Sequence, residues 1–288
     1  MTQQQNYDPD RVRGFFNRLG YGEWERFEQS ATSRIQARIH THYLHRFFER
    51  GDRVLDAGAG PGRFTIDLAR LGATVSVVDI SDEQLRLNRQ KVAEAGLLDS
   101  VDGWHRADIL DLGLFHDATF DGTVCYGGGL SYVLERAGDA LEELLRVTKP
   151  GGFVALSVPN VIGTARMSLP GFPAWIQHHG REALDHQMAT GDALGTTKEG
   201  HWTHMYRWRE FEELLLDHRC EIVAASAAGF MSILNGEVVA AFEKDPDLYD
   251  WFLRWEIEYC REPGALDGGA QLIAVVRRDQ SVERPDTV

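Results

Sequence analysis

The densest run of potential chemistry is Val54-Leu55-Asp56-Ala57-Gly58-Ala59-Gly60-Pro61-Gly62. A short strand runs into a glycine turn and then into a helix. Glycines there allow backbone angles closed to other residues and let a ligand approach the main chain. The spacing is G-x-G-x-G, not the G-x-G-x-x-G that aims a helix N-terminus at a pyrophosphate. Asp56 stands just before the turn, where a carboxylate disfavours phosphate and favours a cationic ligand. Asp79 ends the next strand, about 20 residues on, where an acidic side chain accepts hydrogen bonds from ribose hydroxyls. Asp108 follows the third strand at the same edge and suits an exocyclic amine such as that of adenine. Each has a plainer alternative: a bare strand-to-helix turn for the glycines, a helix cap for Asp79, and Asp111 in place of Asp108.

A second concentration lies downstream, where His178, His179, His186, His201, Trp202, His204 and Tyr206 crowd one polar stretch. The spacing is poor for metal ligation and has no cysteine partner, so no metal site is expected. A histidine near its ordinary pKa can take a proton from a hydroxyl or amine. His201 and His204 are the candidates, against the alternative of plain surface histidines. Cys125, Cys220 and Cys260 are too widely spaced for a disulfide framework, which points to a reducing, cytoplasmic setting. Cys125, inside a strand, reads as a buried small residue.

The elements that must position these groups alternate. Residues 8–50 carry helical spacing. Strands read at 53–57, 73–79, 101–107, 120–126 and 153–158, with helices between them, Ser81 capping one. Residues 160–203 are polar, rich in His, Gly and Pro, and without clear periodicity. A helix at 210–217, a strand at 221–225, two helical stretches split at Pro246 and a strand at 271–277 complete the chain. This alternation specifies an α/β fold with a parallel sheet covered on both faces. Residues 1–50 read as an N-terminal helical cap, 51–278 as the main domain with an insertion at about 160–205, and 279–288 as a tail.

The chain has 288 residues, 43% hydrophobic and 26% charged, which argues against disorder. Thirty Lys and Arg against 44 Asp and Glu give a net charge of −14, a field that repels nucleic acid and anionic membranes. No apolar run approaches the ~20 residues of a membrane span.

Taken together, VLDAGAGPG, VVDIS, HRADILDL and RVTKPGGFVALSV resemble the class I S-adenosylmethionine (SAM)-dependent methyltransferases of small-molecule type, in the family's order and spacing over residues 50–160. The resemblance implies a Rossmann-like, seven-stranded, mostly parallel sheet with helices on both faces and the last strand antiparallel. It implies SAM as cofactor, lying across the carboxyl ends of the early strands. Gly58 and Gly60 would then line the methionine and ribose, Asp79 would hold the ribose hydroxyls, and Asp108 the adenine amine. Ile80 and Ile109 would flank the adenine, unless they are plain core residues, and Tyr126 would border the methionine. Trp24 and Arg34 are similar to the pair that closes over SAM in glycine N-methyltransferase-like enzymes, the Arg holding the methionine carboxylate; Arg38 is the alternative. The insertion occupies the place where relatives carry a lid over the acceptor. Tyr126, Tyr132, His201, His204 and Met231 are expected in that acceptor pocket.

Other marks are missing. After the fourth strand the chain reads CYGGGL, without the Asn/Asp-Pro-Pro-aromatic motif of enzymes that methylate base amines, and without an Asp-Asn magnesium pair. The expected reaction is methyl transfer to an oxygen or nitrogen of a small molecule, neutral or cationic in preference to phosphorylated. An RNA or protein methyltransferase, a non-catalytic SAM-binding protein and an NAD-type dehydrogenase are the competing readings. No nucleic-acid or membrane partner is expected, and the chain is open to forming a homodimer.

Overall fold

The computed structural model describes residues 6–194 and 202–280. Residues 1–5 and 281–288 of the expected polar ends, and residues 195–201 of the expected lid, lie outside these. The N-terminal region forms three helices, α1 (Pro9–Leu19), α2 (Gly22–Glu25) and α3 (Ala31–Phe47). The alternating part follows as β1 (Arg53–Ala57), α4 (Arg63–Leu71), β2 (Thr74–Asp79), α5 (Asp82–Glu94), β3 (Val101–Arg106), β4 (Phe120–Cys125), α6 (Gly129–Tyr132), α7 (Ala137–Val147) and β5 (Thr148–Pro159). Next come α8 (Val161–Ser168), α9 (Phe172–His179), α10 (Arg181–Thr190) and a two-stranded ribbon, β6 (Asp192–Leu194) with β7 (Trp202–His204). The chain ends with α11 (Trp208–Leu216), β8 (Cys220–Ala228), α12 (Gly236–Phe242), α13 (Pro246–Tyr259) and β9 (Gln271–Arg278).

Seven strands form one sheet in the order β3-β2-β1-β4-β5-β9-β8. The first five neighbours are parallel, and β9 runs antiparallel to both β5 and β8. Successive residues of a strand face opposite sides, and the sequence uses both. Val54 packs with Ile35, Ile39 and Tyr43 of α3, while Leu55 packs with Leu141 and Leu144 of α7 and Phe211 of α11. With both faces covered, the carboxyl ends of β1, β2, β3 and β4 open on one edge, which is the side the glycine turn follows. This is the α/β fold expected from the alternation, and the Rossmann-like, seven-stranded sheet that the resemblance implied.

Capping fixes how α5 leaves that edge. Ser81 accepts from Gln84 N at 3.1 Å, the N-cap read from sequence. The cap helix α1 is then pinned on this turn. Ser81 Oγ donates to Asn17 Oδ1 (2.7 Å), and Gln84 Nε2 donates to the carbonyls of Phe16 and Gly20 (3.1 and 3.0 Å).

Two regions differ from the expected pattern. The 160–203 segment is mostly helical, with Asn160 capping α8 by accepting from Gly163 N at 2.7 Å. No residue of α9 or α10 is buried, so these helices carry no apolar stripe for periodicity to detect. The ribbon also reaches the cap: the Arg11 guanidinium stacks 3.7 Å from the Trp202 ring centroid. The other difference is β5, which begins at Thr148 rather than Phe153, because Thr148 already pairs with Phe120 across an irregular register. No helix among the described residues is long and apolar enough to cross a membrane.

Candidate functional site

The glycine turn is built by backbone geometry and braced from below. Gly58, Gly60 and Gly62 all have positive φ (66°, 53° and 97°). A side chain on Gly62 would press on Asn88 at 3.0 Å, whereas one on Gly58 would meet nothing within 4 Å; that face of the turn is open. Asp56 does not line the opening. It is buried beneath the turn, where Oδ2 accepts from Thr65 Oγ1 at 2.6 Å. Asn88 Nδ2 donates to Thr65 Oγ1 and to the Gly60 carbonyl (3.0 and 3.2 Å), and Trp104 Nε1 donates to Asn88 Oδ1 (3.0 Å). The expectation that Asp56 meets a cationic ligand is therefore corrected. Its partner is a threonine, and it reaches a ligand only through the turn it braces. Burial pushes its carboxyl up to about 7, against the Thr65 hydrogen bond and with a contribution from Asp79.

Asp79 closes the turn from the neighbouring strand. Oδ2 accepts from Gly60 N and Oδ1 from Ser81 N, both at 2.8 Å. Burial raises its carboxyl to about 6, those backbone donors holding it lower than burial alone would. Each carboxylate oxygen has two lone pairs, so acceptor capacity remains for a diol. Asp108 Oδ1 accepts from Leu110 N at 3.0 Å, and Oδ2 accepts from the Tyr7 hydroxyl. Tyr7 N in turn donates to Glu135 Oε1 at 3.0 Å.

These groups converge on one cleft, lined mainly by apolar side chains with a few polar groups, as small-ligand sites are. Gly58, Gly60, Asp79, Ile80, Asp108, Ile109, Tyr126, Tyr132 and Trp24 all line it. So do Tyr7, Val12, Phe16, Arg26 and Arg63, which sequence reasoning missed. The lining fits a nucleoside with a charged tail. Two carboxylates stand at the ends of adjacent strands, apolar side chains lie between them, and the Tyr126 hydroxyl is buried with no partner. Trp24 does pair with an arginine, but with Arg63, whose guanidinium carbon lies 4.4 Å from the ring centroid. Arg63 Nε is buried without a partner, while its Nη2 pairs with Glu28 Oε1 at 2.7 Å.

Three further expected residues, Arg34, Met231 and His204, do not line the cleft. Arg34 faces away, forming a fork with Glu243 (Nε–Oε1 2.7 Å, Nη2–Oε2 2.6 Å) in a separate open groove that Arg38 also lines. Helical phase alone gives two arginines four apart on one face; it does not say which face. Met231 belongs to a turn folded on Glu256, donating its N–H to Oε2 at 3.1 Å, and lines neither this cleft nor the cavity beside it. His201 lies outside the described residues. His204 is clamped between two carboxylates, Nδ1 to Asp192 (2.7 Å) and Nε2 to Glu210 (2.6 Å). Burial opposes its charge, yet the two carboxylates outweigh burial and raise its pKa. An imidazolium with both nitrogens bonded has no lone pair to receive a proton, so His204 is a tie between ribbon and α11 rather than a base. Among the described residues no trio of His, Cys, Asp or Glu side chains is placed to hold a metal ion.

A second cavity adjoins the cleft, sharing Arg26, Gly127 and Tyr132 with it. The 160–205 segment contributes Trp175, Ala193, Thr203 and Met205 to its lining.

Residues 54–152 match the family model described as "Methyltransferase domain". The demethylmenaquinone methyltransferase of Clavibacter sepedonicus is 40% identical over 37% of this chain and 40% of its own length. The malonyl-[acyl-carrier protein] O-methyltransferase of Pectobacterium atrosepticum is 28% identical over 53% of this chain and 54% of its own length. The chain thus spans about half or less of these curated relatives. Among solved structures, magnesium protoporphyrin IX methyltransferase from Synechocystis PCC 6803 with bound SAH aligns at a TM-score of 0.58 and 17% identity, covering 94% of this chain and 99% of that one. That likeness carries the fold beyond the matched segment. Over residues 54–152, the chain carries a methyltransferase domain.

Proposed function

We propose that the protein transfers a methyl group from SAM to a nucleophilic oxygen or nitrogen of a small molecule. In this reading residues 1–50 cap the cofactor, residues 51–278 form the transfer domain, and residues 160–205 form the lid over the acceptor. One observation carries it: the glycine turn, Asp79 and Asp108 converge on a single cleft that shares Arg26, Gly127 and Tyr132 with a second cavity alongside it.

When bound, SAM supplies an electrophilic methyl group on a sulfonium. The chain's residues bind, orient and keep water out. Gly58 and Gly60 would border the ribose and methionine, Asp79 the ribose hydroxyls, and Asp108 the adenine amine, with Ile80 and Ile109 flanking the ring. Tyr126 would border the methionine part. We assign the methionine carboxylate to Arg63 in place of Arg34, on the strength of its buried, unpartnered Nε and its stacking on Trp24. A guanidinium fork matches a carboxylate. For an acceptor that arrives protonated, His201 is the remaining candidate base.

The small-molecule reading draws on the net charge of −14, which opposes RNA. The three cysteines are free, which supports a reducing, cytoplasmic setting. Methylation of oxygen is the printed activity of one matched relative. The test is incubation of the full chain with SAM and a panel of small acceptors, reading release of S-adenosylhomocysteine. SAM that binds and never turns over would assign the protein to SAM-binding without catalysis.

A further inference from the structure

The cavity beside the cofactor cleft has a definite chemical bias. Its walls are largely apolar, with Trp175, Pro159 and Met205 among them. Two polar atoms in this lining are buried and have no partner, Thr203 Oγ1 and Gln271 Oε1. A buried polar atom without a partner is costly, so such atoms mark where a ligand group is to bond. Arg26 is the one charged side chain in the lining among the described residues, and no carboxylate accompanies it there.

Arg26 is available to a second partner. Its Nε (2.8 Å) and Nη2 (2.6 Å) contact Glu23 Oε1, and Glu23 lines the cofactor cleft, not the cavity. A guanidinium has five N–H donors, so this pair leaves donors free. Gly127 lets it approach: a side chain there would stand 3.0 Å from Arg26 Nη2. Arg26, although paired with Glu23, is thus the charged group that an occupant of the cavity meets, and a local group can act against the −14 of the whole chain.

Resting on the reading of this cavity as the acceptor pocket, we propose that the methyl acceptor is a mainly apolar, ring-sized molecule bearing an oxygen group that is neutral or anionic, such as a phenol or carboxylate, with Arg26 and Thr203 donating to that group, Gln271 Oε1 accepting only from the hydroxyl of a neutral phenol, and cations excluded. An acceptor oxygen that arrives ionised against Arg26 has no proton to lose, so its methylation needs no base in the cavity.

The test uses three probes of one shape, 2-naphthoate, 2-naphthol and 2-naphthylmethylammonium. Their binding to the full chain saturated with S-adenosylhomocysteine is measured by calorimetry. Naphthoate and naphthol should bind at least about tenfold more tightly than the ammonium probe. Arg26→Gln should weaken naphthoate about tenfold and naphthol little, Arg26→Lys should restore the naphthoate preference, and Thr203→Val should weaken both oxygen probes severalfold. An ammonium probe that binds as tightly as naphthoate overturns the proposal while leaving the acceptor pocket in place. If no probe binds, or if binding is unchanged by both Trp175→Ala and Met205→Ala, the pocket reading itself fails and the proposal with it.

Discussion

The hydroxyl of Tyr7 donates to Oδ2 of Asp108, joining the first described turn of the chain to the end of the third strand. The bond closes the adenine end of the cleft with a residue that no local sequence pattern marks, and it fixes the carboxylate proposed to receive the adenine amine. Phe at position 7 keeps the ring and removes the bond. Tyr7→Phe should weaken SAM by about 1 kcal/mol, the usual net worth of one hydrogen bond, mainly through faster dissociation. Stopped-flow release of SAM, together with faster proteolytic cutting before α3, checks this; an unchanged off-rate would make Tyr7 a bystander.

Asp79 gives a prediction with a pH signature. Asp79→Ala should cost about 1.5–3 kcal/mol of SAM binding, the scale of hydrogen bonds to a charged group. A ribose diol bonds the carboxylate form, so affinity in the wild-type protein should fall as pH drops through about 6. The stability effect has the opposite sense. The folded pKa lies above the ordinary ~3.9, so the folded state holds the proton longer and the ligand-free protein loses stability as pH rises across that interval. Calorimetric titration and melting curves between pH 4.5 and 8 measure the two trends.

The two arginines separate cleanly. Arg34→Ala breaks a partly exposed ion pair with Glu243 and should cost at most about 1 kcal/mol of stability, leaving SAM affinity unchanged. Arg63→Ala should weaken SAM about tenfold, with S-adenosylhomocysteine affected equally because both carry the carboxylate. Reversal of these outcomes in a binding titration would restore Arg34, the assignment that the resemblance implied.

His204 should behave as a pH-dependent fastener. Its folded pKa is raised by Asp192 and Glu210, so its stabilisation is complete below the ordinary imidazole value of about 6.5. It fades as pH rises through the raised value. At pH 6, His204→Ala should lower the melting temperature by about 2–4 °C, corresponding to about 1 kcal/mol, and the gap should narrow in alkaline buffer. A gap that is constant with pH would remove the charge from the explanation.

What could be read from sequence, and what could not, divides along a physical line. The strands of the sheet were legible because Val54-Leu55 and Val75–Val78 bury both faces, which leaves dense β-branched runs bounded by glycine. Ser81 was legible because its partner Gln84 lies three residues on, and the glycine turn and Asp79 because a strand-turn-helix run and a strand-ending carboxylate mark them locally, although Asp79 meets Gly60 across the fold. Helices α9 and α10 were not, since helices that bury nothing leave no stripe. Tyr7, Arg26 and Arg63 escaped for a different reason. What distinguishes them is a partner brought up by folding: Asp108 for Tyr7, the cavity wall for Arg26, the Trp24 ring for Arg63. His204 was misjudged because a proton acceptor and a clamped imidazolium have the same letter; the carboxylates at 192 and 210 decide between them.

The stacking of Arg11 on Trp202 ties the helix beside the cleft to the ribbon beside the second cavity. Under the proposed function such a tie, worth about 0.5–1 kcal/mol at an exposed site, favours joint opening of the two coverings, so that both products leave in one opening event. The slowest stage of turnover would then be the unlatching of the chain's two ends of cover, not the movement of the methyl group.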